Sequence, residues 1–450
     1  MAPLSRKRRV SVTLLSLCLL LLIVQTAFGA KGSSVLLPYT KVKLENGLTL
    51  IVKEVHTSPI AAIDIWVATG AKNDPQDEAG ISHFFEHMLF KGTTQRKVGE
   101  ISKTINAVGG YLNAATSLDT THYYIVVPSD QAALALDVQA DAIMHSAFDA
   151  NEIDKERQVI LEEKRLKDDN PQARLGFMAY QAIFKGTPYE HDVLGTSSSL
   201  ANINHEAFLK YHRKYYRPNH MVAVVVGDVD TQKVINQVRS AFADFKPGNN
   251  ESEPPVQLPD LNGPTKIEAA MAVDQTYLLY AYPAPKLNDP DEAALSVLAV
   301  ILGDGKGSLF HQKILEEKQL VTEIESGYQT FRQVGLFGIY ARTQSTPVEK
   351  ITDEINNILA EIFRKGLSNQ ELSRAKALIK SEIAYATESD ANIAAIIGEY
   401  EVNGEVEDID RYMAALDKVN AEDLKRVAKK YLLPDQAVIT IVKPMEVKGE

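Results

Sequence analysis

The chain has 450 residues, of which 45% are apolar and 24% charged, with a formal net charge of −11. That is room for two or three domains with cores of their own, in the composition range of a soluble globular protein. The acidic balance excludes a nucleic-acid binder, because a phosphate backbone demands a basic face, and a single cysteine, Cys18, excludes a disulfide framework or a thiolate metal site.

The N-terminus departs from this average. Arg6, Lys7, Arg8 and Arg9 form a basic cluster, and residues 10–30 carry no charge. Ala27 and Gly29 suit the small-residue positions of a cleavage site before Ala30. Residues 1–29 are therefore expected to be a signal peptide, and the mature chain to be periplasmic or secreted. If retained, the same run would anchor the protein in a membrane. No later segment reads as a span. Cys18 lies inside the leader, so any metal in the mature chain must be held by His and carboxylates.

Residues 41–44 and 48–54 alternate around Asn46-Gly47, which predicts a hairpin, and 61–69 reads as a third strand. Helical periodicity follows through residues 83–90 and again over 98–108. Residues 111–116 and 121–127 read as strands, several helices follow, and 221–227 is a late strand. Strands come in runs, without strict βαβ alternation, which predicts an α+β fold with helices on one side of a mixed or antiparallel sheet.

Residues 246–265 are rich in Pro, Gly and Asn, as a linker is, and the segments on either side resemble each other. "NDPQDEAGIS" from Asn73 matches "NDPDEAALS" from Asn288 with one gap, and "EAFLKYHRKYYRPNHMVAVVV" from Glu206 matches "EDLKRVAKKYLLPDQAVITIV" from Glu422. The offsets agree at both ends of the repeat. This predicts an internal duplication: a first domain over 30–245 and a homologous second domain over 266–450.

The chemistry is concentrated in "HFFEH", His83 to His87. On a helix, His83 and His87 lie about 40° apart, one turn along the same face, with Glu86 about 60° to the other side of His83. Two imidazoles so placed can meet one zinc ion, and the carboxylate can act on water there. The order His-x-x-Glu-His inverts the better-known His-Glu-x-x-His. A third protein ligand is required. Glu163, in "ERQVILEEKR", is the candidate. Glu156, two turns back on the same helical face, would stand behind the ligands as acceptor for a histidine N–H, while Glu162 points about 100° away. An ordinary amphipathic helix is the competing explanation. Against it, Phe84, Phe85, Met88, Leu89 and Phe90 make the segment apolar nearly all round, and unpaired His and Glu on a buried helix would be costly. In the second repeat, Val297, Val300 and Ile301 replace His83, Glu86 and His87, as core packing would prefer.

"HFFEHMLFKGT" with "ERQVILEE" resembles the inverted zinc peptidases that include pitrilysin, insulysin and the mitochondrial processing peptidase. The resemblance extends over nearly the whole mature chain, through "GGYLNAATSLDTTHYY", "PYEHDVLG" and "YYRPNHMVAVVVGDV". It implies one Zn²⁺ held by His83, His87 and Glu163, Glu86 as general base, and a clamshell of two halves enclosing a chamber for small or unfolded peptides. It also implies that substrate adds as a strand to a sheet edge, here Leu112, Asn113, Ala114, Ala115 and Thr116. One departure stands out. Active relatives carry an Arg and a Tyr in the second half that hold the substrate carbonyl. Here "LEEK", Leu315 to Lys318, replaces Leu-Arg-Glu-Lys, and Thr322 falls near the expected Tyr. Family members with one half-site often work in pairs, so the resemblance implies a zinc metalloendopeptidase acting as the catalytic chain of a heterodimer, with a homologous partner supplying Arg and Tyr. A lone active chain or homodimer is the alternative within that class; a non-catalytic peptide-binding or assembly subunit is the alternative outside it. His122, His145, His191, His212, His220 and His311 have no partner at metal-ligand spacing and read as surface or core histidines.

Overall fold

A computed structural model of the protein describes residues 35–249, 253–261 and 263–445. The expected leader, Cys18 included, lies outside the described residues. From Pro38 onward the described chain forms one compact unit.

The first half carries strands β1 (Thr40–Lys43), β2 (Thr49–Glu54), β3 (Ile60–Val67), β4 (Tyr111–Thr116), β5 (Thr121–Pro128) and β6 (Met221–Gly227). Its helices are α1 (Ile81–Leu89), α2 (Glu100–Ala107), α3 (Ala132–His145), α4 (Ala150–Asp168), α5 (Pro171–Ile183), α6 (Ser197–Asn202), α7 (His205–Tyr215) and α8 (Thr231–Ala241). The second half carries β7 (Thr265–Met271), β8 (Thr276–Ala284), β9 (Glu323–Thr330), β10 (Gly335–Thr343) and β11 (Val438–Pro444). Its helices are α9 (Glu292–Gly303), α10 (Val348–Lys365), α11 (Asn369–Ala386), α12 (Asp390–Asn403), α13 (Asp408–Lys418) and α14 (Ala421–Tyr431). The predicted turn at Asn46-Gly47 forms: Gly47 sits at φ 88°, and Asn46 Oδ1 accepts the amide of Leu48 at 3.1 Å.

The duplication is visible in the pairing. The first sheet runs β1-β2-β6-β3-β5-β4 and the second β7-β11-β8-β10-β9. Without β1, the two orders are the same, including the parallel pair at one end (β2 with β6, β7 with β11) and antiparallel pairs elsewhere. Each sheet therefore ends in an edge strand that a hairpin supplies: β4 in the first half, β9 in the second.

Strand alternation decides what each face meets. In the first sheet Ile63, Ile65, Val67, Tyr123, Ile125 and Val127 enter one core with the helices of their own half, among them Phe84, Phe85 and Met88 of α1. Asp64 and Trp66 point the other way. That second face is covered by α12, which belongs to the second half and packs along β3 and β6. A Cβ on Gly398 of α12 would lie 2.2 Å from the Trp66 ring, so only glycine permits this approach. The arrangement is reciprocal. In α5 of the first half, Leu175 and Met178 pack on Val442 of β11, and Ala179 and Ile183 join Ala281 and Val438. Helices of one half thus lie on one side of its own sheet, as the alternation predicts, and the opposite side is roofed by a helix traded from the other half.

The linker is tied down between them. Buried Lys72 reaches Asp119 at 2.8 Å and Glu253 of the linker at 2.6 Å, and Asp119 also accepts the backbone amide of Arg332 at 2.8 Å. The two hairpin turns, one from each half, meet there. Among the described residues no helix is long and apolar enough to cross a membrane.

Candidate metal centre

Helix α1 begins where Gly80 takes φ 94°, a left-handed conformation that favours glycine. Buried Asp74 receives the helix start: it accepts the amides of Gly80 at 2.8 Å and Ser82 at 3.2 Å, and the Ser82 hydroxyl as well. A carboxylate suits the positive end of a helix, although burial pushes Asp74 up to about 7. Phe84, Phe85, Met88 and Leu89 are buried and fix the helix in rotation. His83 and His87 consequently share the opposite stripe, with ring centroids 4.5 Å apart.

Helix α4 brings Glu163 to them. Its Oε2 lies 3.9 Å from His83 Nε2 and 3.6 Å from His87 Nε2. These separations are long for hydrogen bonds. They match ligands around a common centre, since donors about 2.1 Å from a tetrahedral zinc stand about 3.4 Å from one another. Among the described residues, His83, His87 and Glu163 form a group whose donor atoms all lie within 4.8 Å of each other. The donor set is two nitrogens and one oxygen with no sulfur, which suits zinc in a three-ligand site. Burial, with His87 and Lys167 adding to it, pushes His83 down to about 3. The ring is therefore neutral, the form a metal requires.

The supporting residues also fall into place. His87 Nδ1 donates to Glu156 Oε1 at 3.0 Å, and Lys91 holds the other oxygen, Oε2, at 2.6 Å. Glu156 is buried, 7% exposed, and so held in one orientation. Glu162 points away from the histidines and pairs with Arg165 at 2.7 Å on the exposed side of α4. Glu86 projects beside the histidines, where its Oε2 accepts the Thr116 hydroxyl at 2.6 Å. Burial raises its carboxyl above the usual range, and the Thr116 bond opposes that.

Thr116 ends β4, so the strand Leu112–Thr116 runs along the open edge of the first sheet and terminates at Glu86. Asn113 and Ala115 lie on the same edge. In the second half, Val297, Val300 and Ile301 are buried in the core around α9, the apolar replacement expected there. Glu316 sits in a π-helical turn, His311–Glu317, where it pairs with His311 at 3.2 Å. Thr322 bonds Gln275 at 3.0 Å.

Sequence reasoning missed several contacts. His122 is not an idle core histidine: its Nδ1 meets buried Asp64 at 3.0 Å and its ring stacks on Trp66 at 4.0 Å. His145 bonds Asp141 at 3.0 Å, one helical turn back, a spacing that was readable. Thr116 and Lys91 also reach the site, through Glu86 and Glu156. Thr116 ends the edge strand, and nothing local in the sequence marks its reach to Glu86.

Known proteins resemble this chain over most of its length. Residues 49–197 match the family model described as Insulinase (Peptidase family M16), and residues 202–379 match the one described as Peptidase M16 inactive domain. The chain is 30% identical over 409 residues to an uncharacterized zinc protease of Rickettsia felis, covering 90% of this chain and 98% of that one. It is 28% identical over 432 residues to the zinc protease PqqE of Helicobacter pylori, covering 94% and 97%. The crystal structure of a protease from Helicobacter pylori superposes with a TM-score of 0.85 at 26% identity, covering 90% of this chain and all of that one.

Proposed function

Because this chain belongs to the insulinase family of peptidases, M16, we propose that it is a zinc-dependent endopeptidase for small or unfolded peptides and the catalytic member of a heterodimer. The observation that carries the reading is the convergence of His83, His87 and Glu163 on one point, with Glu86 beside it.

His83, His87 and Glu163 would hold the ion, and Glu156 would hold the His87 ring in the tautomer that leaves Nε2 free. A zinc ion held there supplies Lewis acidity toward a carbonyl and acidifies water. Glu86 takes a proton from the attacking water and passes it to the leaving amine. Thr116 occupies Oε2 of Glu86, which leaves Oε1 for that proton. An extended peptide pairing with Leu112–Thr116 would lie with its backbone next to Glu86, since main-chain pairing at a sheet edge fixes depth and register. The oxyanion of the reaction needs donors. Glu316 and Thr322 stand where relatives would carry Arg and Tyr, which is why a homologous partner chain is part of the reading. The basic cluster and apolar run before Ala30 support export.

The test is a pair of proteins, wild type and Glu86→Gln, assayed on an unstructured peptide mixture with and without a partner recovered by pull-down from the native source. Zinc should stay in both at one per chain, while cleavage stops in the variant. Cleavage by Glu86→Gln would remove Glu86 as the base. Full activity of the purified chain, unchanged by any partner, would remove the heterodimer. Peptide binding without chelator-sensitive turnover would favour a binding subunit.

A further inference from the structure

The contact between Thr116 and Glu86 joins two elements that arrive from different directions, the end of β4 and helix α1. One short strap, residues 69–74, touches both. At its near end it lies on the turn that follows β4. Ala71 donates its amide to Ser117 O and Lys72 to Leu118 O, both at 3.0 Å, and the Thr121 hydroxyl bonds Thr69 O at 3.0 Å. A Cβ on Gly70 would lie 2.5 Å from Ser117 O, so the strap is pressed against the turn with no room between them. At its far end Asp74 accepts the amides of Gly80 and Ser82 and so receives α1. How the strap sits on the turn therefore sets how the Thr116 hydroxyl meets the Glu86 carboxylate.

The strap is fastened to the turn by charge. Lys72 Nζ lies 2.8 Å from Asp119 Oδ1, with the two side chains only 3% and 7% exposed, and Tyr189 donates its hydroxyl to the same Oδ1 at 2.6 Å. An ammonium buried this deeply needs its counter-charges held in place. Two of the holds come from outside the first half. Glu253 of the linker takes Lys72 Nζ at 2.6 Å and the Asn73 side-chain amide at 3.2 Å, and the Gln333 side-chain amide donates to Glu253 at 3.2 Å. Arg332 donates its backbone amide to Asp119 Oδ2 at 2.8 Å. Arg332 and Gln333 belong to the turn between β9 and β10. The linker and the second half thus grip a turn that begins just beyond Thr116.

We propose that Lys72, Asp119 and Glu253 are positioning residues for the reaction: they lock the β4–β5 turn to the strap and so hold Thr116, and through it Glu86, in the reactive arrangement. The linker and the second half then act on the chemistry through this cluster without supplying a reacting group. A misplacement of about 1 Å at a proton-transferring group costs on the order of a hundredfold in rate, so a slack turn is felt at Glu86. β4 is held to β5 by its own ladder, so the edge on which peptide would pair does not depend on the cluster. The inference rests on the proposed function in taking Glu86 as the group that moves the proton.

The test compares the full wild-type chain with Glu253→Ala, Glu253→Gln and Lys72→Met, each with its zinc content measured. Per folded, zinc-loaded chain, kcat should fall at least fivefold in Glu253→Ala and at least twentyfold in Lys72→Met, with KM within twofold of wild type. Glu253→Gln keeps an acceptor for Lys72 and Asn73, and its kcat should lie between those of wild type and Glu253→Ala. The Glu253 side chain is 31% exposed, so its variants should fold even if Lys72→Met does not. Native-state hydrogen exchange at the amides of Ala71, Lys72 and Ser117 should quicken at least tenfold in Glu253→Ala, while the amides that pair β4 with β5 hold. A wild-type kcat in Glu253→Ala, or unchanged exchange at those three amides, overturns the proposal, because the cluster then only joins the halves. Absence of cleavage by the wild type sinks the hydrolase reading, and the role in catalysis with it, and leaves exchange to decide whether the cluster fastens the turn.

Discussion

Thr116 closes the edge strand of the first sheet by donating its hydroxyl to Glu86 at 2.6 Å. One hydrogen bond thereby joins the surface on which a peptide would pair to the carboxylate that would move the proton. The strand positions both.

Thr116→Val keeps the shape of the side chain and removes the donor. A hydrogen bond to a charged group contributes about 1.5–3 kcal/mol, so kcat should fall roughly ten- to a hundredfold. Zinc content and melting temperature should change little. Steady-state kinetics beside elemental analysis will check this; loss of zinc together with activity would mean that Thr116 acts on the metal ligands.

Glu163 and Glu162 are neighbours with opposite prospects. Glu163→Gln should lose bound zinc and all chelator-sensitive cleavage, while Glu162→Gln should retain both. Glu156→Gln should bind zinc about 10–100-fold more weakly, because the histidine loses the carboxylate that orients it. Competition with a chromophoric chelator measures all three.

Gly398→Ala should destabilise the chain by about 1–3 kcal/mol, since a methyl group would intrude on the Trp66 ring. Trp66 is the chain's one tryptophan. Its emission should shift to the red if α12 lifts from the sheet, and denaturant unfolding followed at that wavelength gives the energy.

Glu292 makes stability pH-dependent. Burial pushes its folded-state pKa up to about 7, so the folded chain binds this proton more tightly than the unfolded chain does. The contribution is therefore fully present below the unfolded value of 4.5 and is lost as pH rises through about 7. Between pH 6 and 8 the wild type should lose on the order of 1 kcal/mol that Glu292→Gln keeps. Thermal melts of both proteins across that range decide it.

Much of the first half was readable from local patterns. The hairpin at Asn46-Gly47, the edge strand and helix α1 follow from alternation and from a helical period. The pair His83 and His87 is local, one turn of one helix. Glu163 was reachable because it shares a face with Glu156, so that either both approach the histidines or neither does. What local pattern does not carry is the partner across space. Asp64 with His122, Thr116 with Glu86, and Lys72 with Glu253 are each brought together by the sheet or the linker. The roofing of each sheet was hidden for the same reason: the apolar faces of α5 and α12 announce burial without naming the sheet that buries them.

That trade of helices has a mechanical outcome. A break in the tether between the halves would leave two fragments still gripping each other, whereas removing either crossing helix would strip the roof from the opposite sheet. The tether is dispensable to cohesion and the crossed helices are not, so neither half can be produced alone without an oily surface left bare to water.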